Sequence, residues 1–261
     1  MIPVPSEEEK RNAASAVAIR RMVGYLGVLL PIFCFSWAAL SHSYPSSISA
    51  YVYTPVHGPF TAILCGLGMV LFVYRGYDKW DQRATTIASV AAFGVGLFWT
   101  SALEAPPTSV DPVSWDHLRL IPDGLSGTVH DISAGVLFLL FFFISGFLFT
   151  RRPRVDGQPP SLSEFLATAK STWLFLRTPP GLAKDSREKE NATHRRCAWV
   201  ILVSIIVSIA TSANKIPWFA IAETTAILAF AWSWLTKNRA NGNALTAIGN
   251  DVGYAVEKLK G

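Results

Sequence analysis

Charge is what this chain has least of. Asp, Glu, Lys and Arg together make up 16% of its 261 residues, against a hydrophobic share of 51%. An ordinary soluble domain carries about a quarter charged residues, so a water-soluble globular fold of this length is excluded. Cysteine is scarce as well. Cys34, Cys65 and Cys197 are the whole complement, and each falls in or beside an apolar stretch. Paired disulfide scaffolding is thereby excluded, and the three read as small, polarizable packing residues. There is no CxxC pair, no HExxH, no GxSxG and no Gly-rich phosphate loop with an attached Lys. The usual zinc, nucleophile-elbow and nucleotide-binding signatures therefore do not apply, and no internal repeat stands out.

What the chain has instead is apolar runs of helical length. Stretches at 22–40, 58–75, 84–103, 130–150, 197–213 and 217–236 are long enough, at about twenty residues each, to cross roughly 30 Å of hydrocarbon as helices. The expected fold class is all-α: a polytopic transmembrane bundle of six spans. The last two stretches are separated by a very tight link and predict a helical hairpin. The first exceeds the apolar core of a signal peptide and no small-x-small site follows it, so it reads as an uncleaved span.

Basic residues crowd into alternate gaps. Lys10, Arg11, Arg20 and Arg21 precede the first stretch, Arg75, Lys79 and Arg83 separate the second from the third, and a dense group from Arg151 to Arg196 separates the fourth from the fifth. Of 23 Lys and Arg residues, all but Arg119 and Lys215 fall on one side of such a bundle. The positive-inside bias makes that side cytoplasmic, with both termini on it, and the expected location is a bacterial inner membrane. The net charge of +5 is then explained by anionic inner-leaflet lipid rather than nucleic acid. Arg75, Lys79, Arg151, Arg152, Arg195 and Arg196 are the expected lipid-anchoring residues. Trp37, Trp99, Trp115 and Trp218 fall near outer ends, and Trp80, Trp199, Trp232 and Trp234 near inner ones, as in an interfacial belt. Asn191-Ala-Thr has the glycosylation pattern but lies on the cytoplasmic side.

Outside the spans, residues 1–21 are expected to form a short cytoplasmic helix, with Ser6 and Glu9 at capping-box spacing, leading into the first span. Ser161 and Glu164 repeat that spacing, and Leu162, Phe165, Leu166, Ala169, Trp173 and Leu176 recur at helical period. This predicts an amphipathic interfacial helix over 161–177 within the cytoplasmic loop 151–196, ended by Thr178-Pro179-Pro180-Gly181. The polar stretch 178–195 is expected to be a flexible loop. A weaker apolar stripe runs through the tail, 237–261.

The topology moves chemistry to the outer face. His42, His57, His117 and His130 map there, with Glu104, Asp111, Asp116, Asp123 and Asp131, while His194 is cytoplasmic. Glu223 lies within the sixth span, roughly 9 Å below its outer boundary at 1.5 Å per residue. A carboxylate at that depth faces the bundle interior, either paired structurally or lining a wet cavity. His57, His130 and Glu223 are the candidate ligand-binding residues of one outward-opening pocket, to which Ser49 or Ser101 would add a hydroxyl. Imidazole and carboxylate together suit a divalent metal such as Zn, with His57, His130 and Asp131 as candidate ligands, although their spacing matches no metal motif. If the site is catalytic, its candidates are His57, His130, Asp131 and Glu223.

Two resemblances accompany this reading. The run from Ser49-Ala-Tyr-Val-Tyr-Thr-Pro-Val-His57 through Cys65-Gly-Leu-Gly and Tyr74-Arg-Gly-Tyr-Asp78 to Gly94-Val-Gly-Leu-Phe-Trp-Thr100 resembles an uncharacterised family of bacterial multi-pass membrane proteins. That likeness is best over 44–102 and implies a helical bundle in the inner membrane. A remoter similarity is to the membrane hydrolases that include alkaline ceramidases and adiponectin receptors. Those proteins have seven spans and hold zinc with three His, two of them in an HxxxH pair. This chain has no HxxxH, and only His57 and His130 match as ligand candidates.

The favoured expectation is a non-enzymatic membrane module: an accessory subunit working with other membrane protein subunits, or a binder of a small ligand or membrane lipid. The alternative is a metal-dependent intramembrane lipid hydrolase with an outward His/carboxylate site, and a third reading is a small transporter.

Overall fold

A computed structural model describes residues 7–74, 79–101, 122–150, 186–212 and 218–237, with Ser163, Ala167 and Lys170 as isolated helical positions. Among the described residues every regular element is helical, as the composition predicts. The long helices are α1 (Glu7–Ser41), α2 (His57–Val73), α3 (Lys79–Leu97), α4 (Asp123–Phe143), α5 (Ser186–Ser212) and α6 (Trp218–Thr236). A 3-10 turn, Ser49–Tyr53, lies between α1 and α2, and a π-helical turn, Ile144–Leu148, extends α4. Four segments are long and apolar enough to cross a membrane: Arg21–Ser41, Gly124–Leu148, Glu188–Thr211 and Phe219–Thr236. Helix α2 is apolar but shorter.

Each helix packs against its neighbour in sequence, and α6 returns to α1, so the six close into a ring. Small residues let the closing pair approach. A Cβ added at Gly27 would lie 2.9 Å from the Cβ of Ala231, and one at Gly24 would lie 2.5 Å from Cγ of Leu235. Between helices in lipid, where apolar surface gains nothing by leaving the tails, such close backbone packing is a main source of association. Aromatic rings fill the middle: Phe141 stacks on Phe230 with centroids 3.5 Å apart, and Trp234 is fully buried between Phe149, Tyr74 and Phe230. The outside of the ring is apolar too. Phe72 of α2, Val90 of α3, Ile132 of α4 and Ile209 of α5 are each more than 60% exposed.

Helix α1 runs unbroken from Glu7 through Pro31 to Ser41, so the N-terminal segment leads directly into the first apolar stretch. Other expectations are corrected in detail. The third apolar stretch ends as helix at Leu97, six residues before the expected boundary. Helix α5 starts at Ser186, so the second half of the supposed flexible loop 178–195 is helical. Its polar turns are held because His194, 1% exposed, hydrogen-bonds Ser233 of α6 through Nδ1 at 2.9 Å. Trp99 and Trp234, expected in interfacial belts, are 6% and 0% exposed and belong to the core. The interfacial helix 161–177 (apart from Ser163, Ala167 and Lys170, all exposed helical positions) and the tail stripe lie outside the described residues.

Candidate functional site

The site is built around the end of α3. Beyond Leu97 the backbone leaves the helix, so the carbonyls of Phe98, Trp99 and Thr100 have no intrahelical donor. Where water is excluded, each such group must find a partner within the protein. All three do. His130 Nδ1 meets the Phe98 carbonyl at 2.7 Å and Ser126 Oγ donates to that of Trp99 at 2.9 Å, both from α4. The Tyr53 hydroxyl, from the 3-10 turn, donates to that of Thr100. Side chains one turn apart on α4 thus follow successive carbonyls, which fixes the register of α4 on α3. The backbones come close enough for this because Gly127 faces Ser101: a Cβ there would sit 3.2 Å from the Ser101 nitrogen.

The 3-10 turn is pinned from the opposite side. The Ile48 N–H donates to Glu223 Oε2 of α6 at 2.7 Å, the Ala50 N–H donates to Ser47 Oγ at 2.9 Å, and the Ala220 N–H donates to the Ser46 carbonyl at 3.1 Å. The residues flanking Ser49 are therefore both held through their amides. Ser49, half-buried, places Oγ 2.8 Å from His130 Nε2. The direction of that bond follows from the other nitrogen. A carbonyl can only accept, so Nδ1 carries the proton, and in the neutral ring Nε2 is left with the lone pair that accepts from the Ser49 hydroxyl.

These groups face a cavity of about 390 Å³ between α4, α5 and α6, a volume within the range of small-molecule sites. Its polar lining comes from Ser49, Thr100, His130, Asp131 and Glu223, with Ser204 and Ser208 of α5, and its apolar lining includes Phe138, Leu139, Ile205, Ile209 and Phe219. Leu139, Ile209 and Asp131 line the cavity and are also exposed, so it opens sideways between α4 and α5. Among the described residues no Lys or Arg lines it. A second, smaller space of about 40 Å³ lies at the centre of the ring, and Glu223, Ser49, Ala134 and Phe138 border both.

Three of the sequence candidates therefore meet at one cavity: His130, 2% exposed, Glu223, 7% exposed, and Asp131 at its rim. Ser49 joins them, whereas Ser101 does not line the cavity. His57 is not among the lining residues and packs against Trp99 at 6.2 Å between centroids. Among the described residues no three His, Cys, Asp or Glu side chains are grouped as metal ligands. With both His130 nitrogens engaged and His57 elsewhere, the trio His57, His130 and Asp131 does not fit a zinc site in this arrangement. His42, exposed, ends α1 with φ 53°, a helix-terminating conformation that His tolerates better than most residues. Asp123 begins α4. His117, Glu104, Asp111, Asp116, Arg75, Arg151 and Arg152 lie outside the described residues, while Lys79 and Arg196 are exposed and Arg195 is half-buried. Sequence reasoning missed Ser126 and Tyr53. Their only signal is that a span ending early must find donors for its last carbonyls.

Comparisons of the chain with protein-family models, with curated proteins and with solved structures find no match. The reading of the site rests on its own geometry.

Proposed function

We propose that this chain is an integral membrane protein of six spans that holds an amphipathic small molecule, of membrane-lipid type, in the cavity between α4, α5 and α6. The observation that carries this reading is a mainly apolar cavity that holds a polar cluster, Ser49, His130 and Glu223, and opens sideways past Leu139 and Ile209. A ligand with a short polar head and an alkyl body matches both the cluster and the apolar lining. A side opening flanked by exposed Leu139 and Ile209, with Asp131 at its rim, favours arrival of the alkyl body from the hydrocarbon phase.

Support for six spans comes from the shorter helices. Met69, Phe72 and Val73 of α2 and Ile87 and Val90 of α3 are all more than half exposed, which suits lipid and not water. The charges agree: Lys237 donates to the Phe149 carbonyl at 2.7 Å, so the ends of α4 and α6 lie together, with His194 beside Phe149. This is the end that carries Lys79, Arg195 and Arg196, and we take it as the inner one. The outer end then carries the site.

Gly135 offers the test. It lines the cavity, and a Cβ there meets nothing within 4 Å, so Gly135→Phe is the substitution chosen to fill the space. A diazirine-bearing dodecanol should cross-link to α4, α5 or α6 of the purified full chain. Gly135→Phe should cut the yield about tenfold, corresponding to about 1.4 kcal/mol of binding, with no loss of thermal stability. Cross-linking confined to the outer lipid-facing surface, unaltered by Gly135→Phe, would refute the proposal.

A further inference from the structure

We propose that Ser49 and His130 form a nucleophile–base pair that cleaves a long-chain acyl ester bound in this cavity, without a metal. The inference rests on the cavity reading above and adds a reaction to it. Its basis is geometric. A serine acts as a nucleophile when its hydroxyl is within hydrogen-bond reach of a base and that base is oriented by a third group. Here Oγ lies 2.8 Å from Nε2, and the Phe98 carbonyl, 2.7 Å from Nδ1, fixes the tautomer that leaves Nε2 free to accept a proton. The ring is 2% exposed. Ser49 is held by its neighbours, with Ile48 anchored to Glu223 and Ala50 to Ser47, so the hydroxyl is presented by a pinned turn. Both residues line the cavity, which places a bound ester within reach of Oγ.

The chemistry balances with water as the only co-reactant. Ser49 Oγ forms a bond to the ester carbonyl carbon while its proton passes to His130 Nε2. The tetrahedral adduct then expels the alcohol, which takes that proton from Nε2, and an acyl group is left on Ser49. A water molecule attacks the acyl carbon, gives its proton to Nε2, and the bond to Oγ breaks as Oγ recovers the proton, releasing a fatty acid. The apolar wall of Phe138, Leu139, Ile205, Ile209 and Phe219 accommodates the acyl chain. At about 390 Å³ the cavity has room for roughly a dozen groups of water or methylene size, so acyl chains of that order are the expected substrates.

The competing role for the same bond is a clamp between the turn and α4. His130→Gln separates the two. Glutamine can donate to the Phe98 carbonyl and accept from Ser49, which preserves the clamp, but it is no base. The full chain in nanodiscs is treated with a dodecyl fluorophosphonate, and the adduct is mapped by peptide mass. In parallel, dodecanol cross-linking reports the cavity. The wild type should carry the phosphonyl group on Ser49. Ser49→Ala should lack it, and His130→Gln should form it at least about a hundredfold more slowly, the lower range for loss of a general base, with both variants still folded as their thermal unfolding reports. p-Nitrophenyl dodecanoate should be hydrolysed in the same rank order. Retained cross-linking with no Ser49 adduct in the wild type, or an adduct formed equally fast in His130→Gln, would overturn the dyad and leave the binding site standing. Loss of both cross-linking and adduct in the wild type would overturn the cavity reading itself, and the dyad with it.

Discussion

Replacing His130 by leucine tests the central structural argument, that the end of α3 is completed by side chains of α4. Leucine is close in volume to histidine, so the cavity term is small and the loss is mainly of hydrogen bonds. Two bonds disappear at once: the one to the Phe98 carbonyl at 2.7 Å and the one from Ser49 at 2.8 Å. In soluble proteins, orphaning a buried polar group costs about 1–3 kcal/mol. Within membranes the measured worth of an interhelical hydrogen bond is lower, averaging about 0.6 kcal/mol with a maximum near 1.7, because the unfolded chain also finds partners. The membrane figure governs here, and two bonds together give roughly 1–3 kcal/mol. His130→Gln, able to make both bonds, should cost less than about 0.5 kcal/mol by the same reckoning. The assay is reversible unfolding of the purified chain in mixed micelles of rising SDS fraction, followed by tryptophan fluorescence. If leucine and glutamine destabilise equally, the loss reflects packing of the ring, and the account of α3 is wrong.

Tyr51 predicts the opposite sign. Its side chain is fully buried among Phe35 and Trp37, and its hydroxyl has no hydrogen-bond partner among the described residues, so Tyr51→Phe should be neutral or raise stability by up to about 1 kcal/mol in the same unfolding assay. At the ring closure, Gly27→Val should push α1 off Ala231 and cost about 1–3 kcal/mol, the range for overpacking; Ala231→Gly in that background should restore part of it, and no rescue would refute direct contact. For topology, single cysteines placed at Lys79 and Arg196 should react with a membrane-impermeant maleimide only from the inner side of oriented vesicles, and one at Ser41 only from the outer side. Labelling of Lys79 and Ser41 positions from the same side would remove α2 or α3 from the spanning set.

Four helices, within Arg21–Ser41, Gly124–Leu148, Glu188–Thr211 and Phe219–Thr236, were legible because length and hydropathy alone mark them and need no partner. Helix ends were not. Residues 98–103 are as apolar in pattern as the rest of the third stretch, yet α3 stops at Leu97 because His130, Ser126 and Tyr53 supply donors for the carbonyls that follow. Nothing local to the stretch encodes donors that come from residues distant along the chain. Trp234 failed for a related reason. Indole near a span end suits the interface, but the neighbours that bury it, Tyr74 and Phe149, arrive from other helices.

The candidate site follows the same rule. Glu223 was identifiable because a carboxylate within an apolar helix is costly wherever it lies, and His130 and Asp131 because they open an apolar stretch. The sequence could not distinguish His57 from His130, since each begins a span beside polar residues. What separates them is the companion helix end. His57 begins α2, packs on Trp99 and does not line the cavity, whereas His130 reaches a carbonyl that must be satisfied and a serine held in place by Glu223 through Ile48. Fixing Nδ1 on a carbonyl orients the ring for ligation and for proton transfer alike, but a metal at Nε2 would displace the Ser49 hydroxyl that meets it. The same two bonds suit proton transfer, which needs an oriented ring and a proton donor already in contact with it.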